Sequence, residues 1–502
     1  MSRPFNYNIG ILGHIDSGKT SLVRVLSSIL STAALDKHPE SQKRGITLDL
    51  GFSAFALPMP ERLSTTNTSL QVTLVDCPGH ASLIRTIIAG ASIIDKVILV
   101  IDATKGVQTQ TAECIVISEL LIHTDMIVAL NKIDMVEGNK LQIVEGKIRQ
   151  ILNRTKFAGS YHIVKCAACP REGVPINIEE LMTTIVDSIK VLPSRETGNL
   201  PLYYEIDHCF PVKGLGCVLT GTILEGKMKV GDSIEILPLK TVKKIKSMQS
   251  FHQSIQQAGK GDRVGVCIGP FDSKLIERAI ACTPDSIQAF STCVLKVHKI
   301  QYFKHEITGK SKYHITCGNE TIMGQCIFFS YPSDTSFSPD LAYQYEPEFI
   351  PSPNKSFFAV LTLDSPICVP PSNCQIIGSK FDLDCNSKQC RIAFHGTLQC
   401  TNPELSSNFL KITKSKTRKG QIERIVDQYT AIGINMFSKD TDISKFERLK
   451  VKVADTTGEI SSSFGKSGKF KINFPNGDAQ MGEITLEFKK MMWDKGNKMV
   501  QY

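Results

Sequence analysis

A parallel α/β sheet domain followed by three all-β units is the fold class that this 502-residue sequence predicts, on three observations. Up to about Val191, apolar strand-like runs (LQVTLVDC, VILVIDA, DMIVAL, YHIVK) alternate with helical stretches such as TAECIVISELLIH and IEELMTTIVDSIK. That alternation is the signature of a parallel sheet with helices on both faces. The stretch LPSRETGNLP, rich in Pro, Gly and polar residues, then reads as a linker, after which helical periodicity mostly gives way to short strands. Finally, a chain of this length holds three or four domains, each able to bury its own core.

Taken in order, residues 1–195 form the α/β domain, opening with the strand-like NYNIGIL and the helix-like SLVRVLSSIL on either side of a glycine-containing loop. Residues 200–285 form the first β unit. Residues 286–399 form the second, suggested by VLKVHKI, KYHITCG, QCIFFS, FFAVLTL, CQIIGS and CRIAFHG. Within it, residues 331–356 carry Pro332, Pro339, Pro347, Pro351 and Pro353 with several acids and no periodicity, and are expected to be a mobile loop. Residues 400–502 are expected to form a third small barrel.

The net charge is +9, and an excess of six positive charges falls after residue 400. There, Lys411, Lys414, Lys416, Arg418 and Lys419 occur without an acid among them, and Lys469 interleaves with Phe464 and Phe470. Most charge runs are solvated edges. Clustering on a terminal unit favours an RNA or ribonucleoprotein contact. No run reaches the ~18 to 20 apolar residues of a membrane span, and the apolar start belongs to the first strand, so a soluble protein with no membrane partner is expected. The 16 cysteines are scattered, which fits reduced thiols in a cytosol. One CxxC, Cys166 to Cys169, lacks a second pair at zinc-ribbon spacing.

Four strings carry chemistry. GHIDSGKT, Gly13 to Thr20, fits the GxxxxGK[ST] phosphate loop in its required place between strand and helix. Its members Gly13, His14, Ile15, Asp16, Ser17 and Gly18 turn backbone N–H groups toward phosphate oxygens, Lys19 supplies a cation, and Thr20 offers a hydroxyl to magnesium. NKID names the base, because the Asp134 carboxylate accepts two hydrogen bonds from guanine and would be left unpaired by adenine. Asn131 and Lys132 brace the loop and stack on the base, and Cys166, Ala167 and Ala168 after YHIVK are expected to offer backbone donors to the guanine oxygen. RGIT places Thr47 to complete the magnesium shell, while in DCPGH Asp76, through water, and the Gly79 backbone sense the γ phosphate from the other side. His80 is placed to orient the attacking water. The fold class becomes an α/β P-loop GTPase domain followed by two β-barrels and a C-terminal small β-barrel-like domain, with GTP or GDP and magnesium as cofactors.

GHIDSGKT, RGIT, DCPGH and NKID resemble the translational GTPases, the family of elongation factor Tu. The resemblance implies that Ile15 and Ile46 form an apolar gate shielding the water from His80, that Asp16 helps hold a monovalent cation, and that the ribosome closes the site. GLGCVLTGTI and GKMKVGDSIEI resemble the second, β-barrel domain of that family. Ser17 where elongation factor Tu has His, a further domain after the two barrels, and the strings STAALDKHPESQKRGITLDLGF, LVDCPGHASLIRTIIAGA and KGQIERIVDQYTAIG narrow the likeness to the eukaryotic selenocysteine-specific elongation factors.

That likeness implies a monomer that delivers selenocysteinyl-tRNA to a ribosome paused at a UGA codon recoded by an mRNA hairpin and its binding protein. It implies Asp207 and His208 in EIDHCF, and Arg278 in KLIERAIACTP, as the selenocysteine pocket, with Arg278 and His208 as cationic contacts. It also implies RNA contacts from Lys411, Lys414, Lys416, Arg418, Lys419 and Lys469, largely phosphate-directed. The chain after Phe474 lacks a Lys- and Arg-rich insertion with nuclear-import character, so a cytoplasmic location is expected and nuclear entry has no obvious basic signal. Two rivals share the GTPase and barrel plan: the gamma subunit of the factor carrying initiator tRNA, and the GTPase subunit of a sulfate adenylyltransferase. The first would show a metal knuckle and end after the barrels, and the second would need no RNA-facing terminal domain.

Overall fold

The computed structural model describes residues 4–27, 29–30, 50–63, 67, 69–79, 88, 93–121, 125–196, 198–212, 214, 216–276, 278–309, 311–318, 320–370, 375–384, 389–406, 408–465, 467–493 and 499–501. Seven strands form the first sheet: β1 (Phe5–Gly13), β2 (Ile29–Leu30), β3 (Gly51–Pro58), β4 (Ser69–Asp76), β5 (Lys96–Asp102), β6 (Met126–Asn131) and β7 (Tyr161–Lys165). Their order is β2-β3-β4-β1-β5-β6-β7. The sheet is parallel from β4 to β7, as the alternation predicts, but β3 runs antiparallel to β4 and β2 to β3. Only residues 59–68 join β3 to β4, too few for a crossover helix, so the two strands fold back on each other.

Among the described residues, four helices cover the faces: α1 (Lys19–Leu26), α2 (Thr109–Leu121), α3 (Gly138–Leu152) and α4 (Ile178–Ser188). Helix α1 buries Lys19, Leu22, Val23 and Leu26, and α3 buries Val144, Ile148 and Leu152, spacings that keep one stripe facing the sheet. Leu22 and Val23 of α1 share a cluster with Leu181 and Ile185 of α4 on one face. On the opposite face, α2 and α3 share a single continuous cluster with Phe290, Phe328 and Phe394 of the third unit. GTPase domain and second barrel therefore bury apolar surface against each other.

The first β unit comprises β8 (Tyr203–Val212), β9 (Gly216–Glu225), β10 (Lys227–Lys229), β11 (Ser233–Leu237), β12 (Thr241–Lys244), β13 (Ser247–Ser250), β14 (Gln253–Ile255), β15 (Gln257–Gly259), β16 (Arg263–Gly269) and β17 (Ala279–Cys282). Eight of them pair in the order β12-β11-β17-β8-β9-β16-β13-β14, with β10 and β15 a separate ladder, and β12 comes back against β16 around a core of its own.

The next unit comprises β18 (Phe290–Lys299), β19 (Lys312–Cys317), β20 (Glu320–Tyr331), β21 (Ala342–Glu346), β22 (Ser356–Ile367), β23 (Gln375–Ser379) and β24 (Ile392–Thr401). The pairing of β19 with β20 closes the six-stranded circuit β19-β23-β24-β18-β22-β20. The last unit holds β25 (Lys411–Asp427), β26 (Thr430–Ile434), β27 (Lys450–Val453), β28 (Thr456–Phe464), β29 (Lys469–Asn473), β30 (Glu483–Met491) and β31 (Met499–Val500), and the pairing of β25 with β30 closes a second circuit of six. The predicted terminal barrel is present.

Residues 331–356 correct the expectation of a mobile loop. They contain β21, which pairs antiparallel with β20 and parallel with β25, bridging the two barrels. Tyr343 in this strand is 1% exposed and packs its ring against Phe329, Phe337 and Phe358. Its hydroxyl donates to Ser338 O and accepts from Ser338 N, so the prolines punctuate turns around a buried aromatic anchor.

Candidate functional site

The phosphate loop is shaped by close approaches that only glycine permits. Gly18 enters α1 at φ +89°, and a Cβ there would lie 2.2 Å from Asn131 Nδ2. Lys19, 6% exposed, donates from Nζ to Gly13 O at 3.1 Å and His14 O at 2.9 Å, which curls the loop around its ammonium group. Burial pushes the Lys19 pKa down, against the opposing pull of Asp76. Thr20 Oγ1 donates to Asp76 Oδ2 at 2.6 Å, bringing two of the predicted magnesium residues together. Gly79 closes on the loop from the other side: a Cβ there would lie 2.9 Å from Ile15 N and 3.0 Å from His14 C. Asp16 stands exposed at the tip with φ +61°.

Ser17 Oγ and His14 Nδ1 are buried with no hydrogen-bond partner among the described residues. A glycine cradle, a buried ammonium and unused polar atoms fit a phosphate chain.

At the base end, Asn131 is 2% exposed; its Nδ2 donates to Ser17 O at 2.9 Å and its Oδ1 accepts from Ala168 N at 3.0 Å. Lys132 Nζ donates to Asp16 O at 2.5 Å and to Asp102 Oδ2 at 2.9 Å. Burial pushes the Asp102 carboxyl up, but hydrogen bonds from Thr104 and Lys132 outweigh it and hold the group below the usual carboxylate range. Asp134 is exposed at the rim, with Oδ2 accepting from Arg171 N at 3.2 Å. The expectation for Cys166 to Ala168 is corrected in detail. Cys166 N is committed to Leu130 O, Ala167 N to Ile176 O and Ala168 N to Asn131 Oδ1, so the segment braces the base-side asparagine and all three N–H groups are already bonded within the protein. Cys166 itself is buried, its thiol pKa pushed up to about 12 by desolvation. Ile46, Thr47 and His80 lie outside the described residues.

A second site lies in the first β unit. Strand β8 pairs Ile206 with Gly221 and His208 with Thr220, so Asp207 is the extra residue of a bulge that re-aims its side chain. Asp207 Oδ2 accepts from Arg263 Nη1 at 2.5 Å, at the mouth of β16, and Thr222 Oγ1 accepts from the same nitrogen at 3.4 Å. Arg263 is 5% exposed and lines a cavity of about 240 Å³ with Phe210, Thr220, Gln249 and His252. Arg263 Nη2 and Thr220 Oγ1 are buried without hydrogen-bond partners among the described residues. None of Asp207, His208 and Arg278, the three residues expected to form the pocket, is among the cavity's lining residues; Asp207 reaches it only through its bond to Arg263. Arg278 precedes Ala279, which pairs with Ile206, while the guanidinium in the cavity belongs to Arg263. Sequence reasoning missed Arg263; the clue was an arginine heading a strand, in GDRVGV, where exposure is the usual expectation.

Of the terminal cations, Lys414 and Lys416 are exposed on β25; Lys414 sits opposite Lys490 of β30, with its Nζ 4.9 Å from the ring centroid of Tyr345. Arg418 instead stacks over Phe446 at 4.8 Å and Phe437 at 5.2 Å. Lys419 pairs with Glu483 at 2.9 Å, Lys469 with Glu423, and Lys411 donates to Asp340 O at 3.4 Å. Lys490, opposite Lys414, extends the basic face and was not singled out from sequence.

Models of four domain families match the chain: "Elongation factor Tu GTP binding domain" over residues 6–191, "Elongation factor Tu domain 2" over 216–278, "Selenocysteine-specific elongation factor, eukaryotes, 3rd domain" over 294–396, and "eEFSec C-terminal RIFT domain" over 409–499. A selenocysteine-specific elongation factor of Mus musculus is 43% identical over 98% of this chain and 91% of its own length. One from Methanocaldococcus jannaschii is 39% identical over 63% of this chain and 65% of its own. The crystal structure of translation elongation factor SelB from Methanococcus maripaludis, in complex with the GTP analogue GppNHp, aligns with a TM-score of 0.74 at 29% identity, over 98% of this chain and all of that one. These likenesses set aside the initiation-factor and adenylyltransferase readings. The phosphate loop, the base-bracing asparagine and the matched terminal domains converge: the chain is a guanine-nucleotide-binding translational GTPase and belongs to the selenocysteine-specific elongation factors.

Proposed function

We propose that this factor binds selenocysteinyl-tRNA in its GTP form, delivers it to the ribosome at UGA codons recoded by an mRNA hairpin and its binding protein, and acts as a cytoplasmic monomer. No described helix is long and apolar enough to cross a membrane. The working units are residues 1–195, 200–285, 286–399 and 400–502. Lys19 and the loop N–H groups hold the β and γ phosphates, Asp134 reads guanine, and Lys132 flanks the base. Thr20 and Thr47 would ligate magnesium, with Asp76 acting through water; the ion supplies charge neutralisation at the phosphates. His80 orients the water, screened by Ile15 and Ile46, and Asp16 helps hold a monovalent cation. Lys414 and Lys416 contact tRNA phosphates from the exposed face of β25.

The observation that supports the cargo assignment is the Asp207–Arg263 pair, in which Arg263 lines the 240 Å³ cavity and its buried Nη2 has no hydrogen-bond partner among the described residues. A selenol is more acidic than a thiol and is anionic at neutral pH, whereas a seryl hydroxyl is neutral. A buried guanidinium therefore favours the first and gains little from the second. Asp207 orients the guanidinium, His208 adds a neighbouring donor, and Arg263 takes the role first expected of Arg278. Measured as GTP-dependent affinity, Arg263→Ala is expected to weaken selenocysteinyl-tRNA at least tenfold more than seryl-tRNA, the scale of one charge-assisted hydrogen bond of about 1.5 to 3 kcal/mol. Equal losses for both would reject this pocket.

A further inference from the structure

The cavity's guanidinium is not held by its own domain alone. The Arg263 Cζ lies 3.1 Å from the ring centroid of Phe52, a fully buried residue of the GTPase domain. The turn that leads into Arg263 is pinned to the same domain. Gly261 O accepts from Asn6 Nδ2 at 2.6 Å and from Asn8 Nδ2 at 3.1 Å, both side chains of β1. Arg195, from the linker, lies against Gly261 so closely that a Cβ there would come within 2.2 Å of its Cζ. The linker arginine is itself fixed to the GTPase domain by Asp95 Oδ2 at 2.6 Å and Asn6 O at 2.8 Å. Two residues beyond that anchored carbonyl, the Arg263 plane meets the Phe52 ring.

A guanidinium is planar, weakly hydrated on its faces and a donor only at its edge. Stacking one face on Phe52 leaves rotation about the side chain no freedom to tilt that edge, so Nη1 stays on Asp207 and Nη2 stays directed elsewhere in the buried site. An ammonium in the same place would have no plane to fix. The position of Phe52 along its own strand matters as well. In the β3–β4 ladder Gly51 stands opposite Asp76 and Phe52 opposite Val75, and Asp76 is the carboxylate bonded by Thr20 of the phosphate loop. Phe52 also follows Thr47 of RGIT by five positions in the chain. One short strand thus pairs with Asp76 of the nucleotide machinery at one residue and meets Arg263 at the next.

We propose that Phe52 is a positioning residue for cargo selection: by stacking on Arg263 it sets the guanidinium plane that discriminates selenocysteine from serine, and it ties that plane to the nucleotide-bound arrangement of β3 and β4. The inference rests on the reading of the Arg263 cavity as the aminoacyl pocket.

The test uses the full-length factor with GTP and the ratio of affinities for selenocysteinyl-tRNA and seryl-tRNA built on one tRNA body. Variants Phe52→Leu, Phe52→Tyr, Arg263→Lys, Arg263→Ala and the double Phe52→Leu/Arg263→Lys are compared, with GTP affinity recorded for each as the folding control. Phe52→Leu is expected to lower the ratio about tenfold, the scale of a desolvated cation–aromatic contact, and Phe52→Tyr, which keeps the ring, to restore it. Arg263→Lys should fall as far as Phe52→Leu, and the double variant no further than either, because both remove the same oriented plane. A ratio unchanged in Phe52→Leu but abolished in Arg263→Ala would overturn the positioning role while leaving the pocket intact. A ratio unchanged in Arg263→Ala would overturn the pocket and the inference with it. Should Phe52→Leu lose GTP affinity through misfolding, Arg263→Lys decides: full retention of the ratio by lysine contradicts any need for an oriented plane.

Discussion

The buried ion pair between Glu113 of α2 and Arg391 at the start of β24 makes a quantitative prediction about how the GTPase domain is held to the second barrel. The pair is bidentate, Nε to Oε1 at 2.9 Å and Nη2 to Oε2 at 2.9 Å, with side chains 6% and 4% exposed. It lies beside a cavity of about 760 Å³ lined from both domains by Val116, Ile151, Tyr302 and Cys390 among others. Removing either partner strands the other as a buried charge, a cost of about 3 to 5 kcal/mol. Removing both strands neither, so Glu113→Ala/Arg391→Ala is expected to cost no more than either single change. The cycle should therefore show a coupling of about 3 kcal/mol or more, within the range measured for close charge pairs. Urea unfolding of the four proteins, followed by tryptophan-independent far-UV signal and checked for coincidence with a second probe, provides the cycle. Single variants that each cost under about 1 kcal/mol, or costs that simply add, would refute the idea that this pair clamps the interface.

Further predictions concern the nucleotide. Gly79→Ala places a Cβ 2.9 Å from Ile15 N, so the segment after Asp76 must withdraw from the phosphate loop. GTP affinity should fall about tenfold or more, from an overpacking cost of about 1 to 3 kcal/mol, with GDP affinity little changed; equal losses in a competition titration would contradict the geometry. Asp134→Asn should move preference from GTP to xanthosine triphosphate by roughly 10⁴-fold, and unchanged GTP affinity in an equilibrium titration would remove Asp134 from the base site.

Local grammar made the nucleotide end legible. A strand, a glycine loop and a helix stand consecutively from Asn6 to Leu26, and their function follows from adjacency that sequence displays directly. The cargo end is built differently. Arg263 meets Asp207 across 56 positions, through a bulge that no single strand announces, and the Asn6 to Gly261 contact spans 255. Periodicity gives a strand's faces; it does not say which distant side chain will be stacked upon it. The same limit explains Cys166, whose N–H is claimed by β6, and residues 331–356, where proline spacing concealed Tyr343. In the terminal barrel the basic run was plain, yet Arg418 and Lys419 are engaged internally, because composition cannot tell a cation on an aromatic or a carboxylate from one facing solvent.

Selectivity for selenocysteine is the claim on which the rest depends, and the most direct measurement is protection of the aminoacyl ester against hydrolysis by the factor with GTP. The same tRNA charged with selenocysteine or with serine is compared, with GDP as the control. Strong, GTP-dependent protection of the selenocysteinyl ester alone is the predicted result. Equal protection of both esters, or of neither, would contradict it.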